Sequence, residues 1–114
     1  MYHRFEHIFL IKSYSLRLQI ISNMLNNHYT EDITLDLLHE KFFISKYHLC
    51  RAFHKATGLT IHEYIRRKRV TKVRELCAEG MSIGDAAAQA GFNDYSSFYR
   101  AYQKEYGTSP REDL

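Results

Sequence analysis

The feature that most constrains this chain is that it contains one pattern twice. Leu49-Cys50-Arg51-Ala52-Phe53-His54-Lys55 returns as Phe98-Tyr99-Arg100-Ala101-Tyr102-Gln103-Lys104, and Gly58 returns as Gly107, at a constant offset of 49 residues. Ahead of each copy lies a shorter amphipathic segment, Thr34 to Phe42 and Ser82 to Ala90, offset by 48 because Asp94 is one extra residue in the second turn. The unit is therefore a short helix, a turn and a longer helix. Two such units require helices that pack on each other rather than a sheet. The breakers agree, since the chain has a single Pro, at position 110, and only five Gly.

Within the first copy, a period of about 3.6 residues puts Leu49, Ala52, Phe53 and Ala56 on one face and Tyr47, Cys50, Arg51 and His54 on the other. Ser45 suits the N-cap, where its hydroxyl can accept from unpaired first-turn amides, and Gly58 suits the left-handed stop. The outer face is polar and basic, with Lys46 and Lys55 near its ends. Such a face fits a DNA major groove, and it also fits a plain solvated helix surface. The second copy buries Phe98, Ala101 and Tyr102 and presents Tyr95, Ser96, Ser97, Tyr99, Arg100, Gln103 and Lys104 by the same period.

These stretches carry a family resemblance. SKYHLCRAFHKATG, the connecting EYIRRKR, the second-unit MSIGDAAAQAGFND and the closing FYRAYQKEYGTSP resemble the DNA-binding domain of AraC/XylS regulators, over roughly residues 16–110. The resemblance implies an all-α fold with two helix-turn-helix lobes joined by a long connector helix, a homeodomain-like tandem. It implies double-stranded DNA as partner and places Arg51 and Arg100 among base-contacting positions. The sequence departs from the family at His39, where a small Ala is usual, and at Phe43, where the turn usually has Gly. Arg111-Glu112-Asp113-Leu114 also lacks the aromatic that commonly follows Pro110.

Charge is distributed unevenly. Residues 41–74 hold ten Lys or Arg against Glu63 alone, a balance of +9, while residues 1–40 come to −2 and residues 75–114 to −4. A block this lopsided favours a polyanion over a membrane surface, which would need an apolar face beside the charges. Arg66, Arg67, Lys68 and Arg69 cannot all point one way on a helix, so phosphate contact and a solvated face weigh equally for them. Hydrophobic residues at 45% and aromatics at 14%, without Trp, describe a globular chain. Its 114 residues support one domain or two small lobes, with no room for a sensor domain.

Cys50 and Cys77 have no metal-ligand spacing and are too few for a disulfide scaffold, which points to a reduced cytoplasmic protein. Cys50, exposed beside Arg51, could act as a redox switch, though a small contact residue is the plainer reading. No apolar run is long enough to span a membrane. Phosphate-cradling loops, zinc spacings and nucleophile elbows are missing as well, so neither an enzyme nor a cofactor is expected.

The expected layout is an extension or linker remnant at 1–13, a first lobe at 14–59, a connector at 60–80 and a second lobe at 81–114. His3 and His7 could bind a metal, but two exposed imidazoles are the simpler reading. Leu16, Ile20, Ile21, Met24 and Leu25 form a stripe that predicts a core-facing helix from about Tyr14 to Tyr29. Thr34 should cap a helix through Phe42 with Leu35, Leu38 and Phe42 inward. Thr60-x-x-Glu63 reads as a capping box opening the connector, which Gly80 closes. Over 61–79 the connector's 19 residues would reach ~28 Å, close to the ~34 Å pitch of DNA. Ser82 should cap the next helix, Ala86, Ala87, Ala88 and Ala90 allow close packing, Gly91 supplies the turn, and Phe92 plugs the lobe. A competing function is a helical protein-interaction module for RNA polymerase or a sister regulator, with DNA binding degenerate; retention on heparin separates the two.

Overall fold

Every residue that the computed structural model describes, 14–114, lies in an α-helix or in a short connection between helices. Among the described residues these helices are α1 (Tyr14–His28), α2 (Leu35–Phe42), α3 (Lys46–Thr57), α4 (Ile61–Ala78), α5 (Ile83–Gln89), α6 (Tyr95–Tyr106) and α7 (Pro110–Asp113). The extension at 1–13, with the His3 and His7 metal reading, lies outside them. The chain divides into two compact units, one holding α1 with residues 33–61 and the other residues 29–32 with 62–114.

In the first unit α3 packs against both α1 and α2. Ile21, Leu25, Ile33, Leu38, Phe42, Ile44, Leu49, Phe53 and Ile61 are buried, and each large side chain so removed from water contributes about 1.5–3 kcal/mol before entropy is set against it. Of the expected core positions, Ile20, Met24, Leu35 and Ala52 are only half-buried, and two more are exposed. Leu16 is exposed, because Ile21 and Leu25 carry the buried line of α1 and the 16-20-24 row only flanks it. Ala56 is exposed for a similar reason, lying beside the Leu49-Phe53 line at the last turn of α3.

The turn from α2 to α3 keeps a left-handed residue without glycine. Phe43 takes φ 53° and ψ 43° and is 54% exposed. A residue with a Cβ pays roughly 1 kcal/mol for that conformation. His39 helps hold the turn, its Nδ1 donating to the Ile44 carbonyl at 2.7 Å. Ile44, immediately after the turn, is buried and closes the lobe.

The second unit is built around Val70, Val73, Leu76, Ala86, Ala87, Ala90, Phe98, Ala101 and Tyr102, with Cys77, Met81, Ile83 and Phe92 partly buried against them. Val70, Val73 and Leu76 carry α4 into this core, and Ala88, on the opposite side of α5 from Ala86 and Ala90, is exposed. Burial raises the pKa of the Cys77 thiol. α4 ends one residue earlier than expected. Its stop is a paired one, Met81 N donating to Leu76 O and Gly80 N to Cys77 O with Gly80 left-handed.

α5 ends in the same way, Phe92 N donating to Ala87 O and Gly91 N to Ala88 O. Here glycine is required twice over. Gly91 sits at φ 108°, and a Cβ on it would lie 2.6 Å from the Thr30 carbonyl oxygen. Phe92 is half-buried and meets Phe98 edge-on at 5.4 Å between ring centroids. At the C-terminus Ser109 caps α7, Pro110 is buried at its first position, and the Asp113 carboxylate accepts from the Tyr102 hydroxyl.

Candidate nucleic-acid interface

α3 is held from both ends and from behind. Ser45 Oγ accepts from His48 N at 3.2 Å, and the Gly58 amide donates to His54 O from a left-handed cap at φ 76°. Leu49 and Phe53 fix the inner face, so the outer face is presented by a helix with little freedom to roll. Lys46, Tyr47, Cys50, Arg51, His54 and Lys55 are all exposed, and with His48, Ala52 and Thr60 all but Lys46 line one open depression. Arg51 Nη1 donates to the Tyr47 hydroxyl at 2.8 Å, and the guanidinium carbon lies 5.5 Å from the Tyr47 ring centre. Lys46 is not a free cation: it pairs with Asp36 on α2, and that bond and charge hold the Asp36 carboxyl below the usual range.

α6 repeats the plan with different chemistry. Asp94 caps it, Oδ1 accepting from Ser97 N at 2.7 Å, and this bond lowers the Asp94 pKa, with the Arg100 charge adding to the effect. Gly107 closes the helix at φ 71°. Phe98, Ala101 and Tyr102 are buried as the period predicts. Tyr95, Ser96, Tyr99, Arg100, Gln103 and Lys104 are exposed, whereas Ser97 is half-buried at the cap and faces outward less than expected. Tyr95 is steadied by an edge contact with Phe98 at 5.6 Å.

The basic run on α4 turns largely toward the protein itself. Arg66 Nε and Arg67 Nε donate to the two oxygens of Glu105 at 3.1 and 3.0 Å. Arg69 donates to the carbonyls of Tyr29 and Glu31 at 2.7 and 2.9 Å, and burial lowers its pKa. Arg74 donates to Asp113 at 3.2 Å and stacks 4.5 Å from the Tyr106 ring centre. Lys68 lies 5.6 Å from the Tyr64 ring centre. Even weight between phosphate contact and a solvated face thus misses a third role, internal pairing. Glu105 and Asp113, the anchors of that pairing, lie 38 or 39 residues from their arginines, beyond any local spacing.

Among the described residues no three His, Cys, Asp or Glu gather as a metal would need, and no helix is long and apolar enough to cross a membrane. What the fold presents is two capped, rigidly backed helices with polar outer faces, each following a shorter helix and a tight turn. That is the helix-turn-helix class of protein. The chain belongs to the AraC/XylS-type helix-turn-helix family, whose helix-turn-helix domain profile matches residues 38–114.

Relatives agree with this assignment. The uncharacterized HTH-type transcriptional regulator YbfI of Bacillus subtilis is 38% identical over 78 residues, 68% of this chain and 28% of that protein. The HTH-type transcriptional activator RhaS of Escherichia coli is 32% identical over 97 residues, 84% of this chain and 35% of that protein. The chain thus spans about a third of the length of these curated relatives. Among solved structures, the C-terminal domain of the two-component response regulator yesN from Fusobacterium nucleatum superposes with a TM-score of 0.74 at 29% identity, covering 82% of this chain and 93% of that one.

Proposed function

We propose that this chain binds double-stranded DNA sequence-specifically as part of a transcription regulator, with α3 and α6 each entering a major-groove segment. The observation that carries the reading is the repeated outer face: Arg51 and Arg100 occupy equivalent exposed positions on two helices whose caps and buried sides are fixed. In this reading Arg51 and Arg100 contact base edges, where a bidentate bond to guanine O6 and N7 discriminates by roughly 1–3 kcal/mol. Cys50, His54, Tyr95, Ser96, Tyr99 and Gln103 and the ring of Tyr47 supply further base and sugar contacts, Ser97 stays at the cap, and Lys55 and Lys104 contact phosphates. The regulator acts in the cytoplasm without catalysis of its own, and RNA polymerase is its further partner.

Selection of binding sites from a random DNA pool tests the reading directly. A consensus with two separate conserved patches is expected, and binding should weaken steeply as salt is raised. A protein that passes through heparin at low salt and enriches no sequence would instead be an interaction module.

A further inference from the structure

We infer that Tyr47 is a positioning residue for Arg51, presetting the guanidinium so that the first unit reads its base with greater selectivity than an unrestrained arginine allows. The inference rests on the base-reading role proposed for Arg51. Its basis is a pair of contacts that stand in the open, one turn apart on α3. The Arg51 Nη1 donates to the Tyr47 hydroxyl at 2.8 Å, and the same guanidinium lies over the ring with 5.5 Å to the centroid. Tyr47 is 64% exposed and contributes nothing to the buried core, so packing of the lobe does not account for it.

The direction of the pair matters. Helical side chains lean toward the N-terminus of their helix, so Arg51 reaches back over the turn that carries Tyr47. In helix-turn-helix proteins it is the N-terminal part of the second helix that meets base edges. Tyr47 therefore holds the guanidinium on the side of the helix where bases would lie. The bond also leaves the right donors open. A guanidinium has five N–H groups, and one on Nη1 is engaged, so the edge formed by Nε and Nη2 remains available for two parallel bonds to guanine.

The second unit lacks this arrangement. The residue equivalent to Tyr47 is Ser96, which has no ring for Arg100 to lie on. A flexible side chain that must be ordered on binding loses selectivity to that ordering. Removing the preset should weaken discrimination roughly three- to tenfold.

The test is a double-mutant cycle on DNA. The parent, Tyr47→Phe, Arg51→Ala and the double variant are each titrated with the selected site, with that site changed at the Arg51 patch, and with unrelated duplex. Tyr47→Phe keeps the ring and removes the hydroxyl. It is expected to lower discrimination at the Arg51 patch three- to tenfold and to have no further effect once Arg51 is Ala. An equal loss with and without Arg51 would mean that the Tyr47 hydroxyl makes its own DNA contact, and full discrimination in Tyr47→Phe would mean that the hydroxyl sets nothing; either overturns the inference while leaving base reading by Arg51 intact. Full discrimination in Arg51→Ala alone overturns the base-reading role and the inference with it.

Discussion

The two helix-turn-helix units make the same turn by opposite means. The first puts Phe43 in a left-handed conformation, the residue exposed and His39 tying the turn to the Ile44 carbonyl. The second uses Gly91, at a more positive φ and pressed against the Thr30 carbonyl. What differs is the neighbourhood rather than the backbone. A left-handed turn alone tolerates a side chain at modest cost, whereas a left-handed turn with another strand of chain against it tolerates only hydrogen.

The largest expected effect follows from that contrast. Gly91→Ala must accept both a disfavoured φ and a Cβ overlapping a backbone oxygen, and is expected to lose about 2–4 kcal/mol of stability. Phe43→Gly relieves left-handed strain but adds freedom to the unfolded chain, so the net gain should stay within about 1 kcal/mol. Urea melts of the two variants check the pair, and equal losses would break the comparison.

Next come the reading positions. Arg51→Ala and Arg100→Ala should each relax one short patch of the selected site, by roughly 1–3 kcal/mol of discrimination, with the larger loss from Arg51. Selections run with the parent and both variants give the answer. If both variants bind more weakly yet keep every positional preference, the arginines are phosphate clamps.

A smaller difference separates the cores. Phe53 in the first unit corresponds to Tyr102 in the second, whose hydroxyl donates to Asp113. Burial, and then that bond, push the phenol pKa from the ordinary 10 up to about 12. The folded state therefore keeps its proton where the unfolded chain has lost it. Stability from this group is full below pH 10 and is lost as pH rises toward about 12. Tyr102→Phe, which makes the second core resemble the first, should cost about 1–2 kcal/mol at neutral pH and flatten the alkaline limb of a plot of Tm against pH. An unchanged alkaline limb would show that the phenol does not control it.

The smallest effect concerns cations. Lys55→Ala should reduce the slope of log affinity against log salt by about 0.9, the value for one phosphate contact. Lys46→Ala should reduce it by less, because Asp36 already offsets that charge. Titrations at four salt concentrations resolve the two.

Much of this architecture was legible because its signals are local. The caps at Ser45, Ser82 and Asp94, the glycine stops at Gly58, Gly80 and Gly107, and the buried faces of α3 and α6 each depend on residues within a turn or two. Leu16 and Ala56 were misplaced because a period identifies a stripe but not how wide the buried part of it is, and Ala88 because small size permits packing on any face without selecting one. The fates of Arg66, Arg67 and Arg74 were illegible for a different reason. Their partners, Glu105 and Asp113, come from α6 and α7, and only the folded chain brings them together. The Tyr47–Arg51 pair, by contrast, has an i, i+4 spacing that could have been noticed.

The inward turn of the α4 arginines bears on how a regulator finds its site among a genome's surplus of wrong ones. A guanidinium already paired with Glu105 or Asp113 gains less from a phosphate than a free one, so the +9 run adds less to indiscriminate adhesion than its formal charge suggests. Decoy sequences outnumber an operator by roughly 10⁶–10⁹ to one, and the share of molecules at the operator depends on the ratio of affinities, not on the affinity itself. In the proposed role, keeping those charges occupied lowers the denominator of that ratio and shortens the time lost on DNA that carries no message.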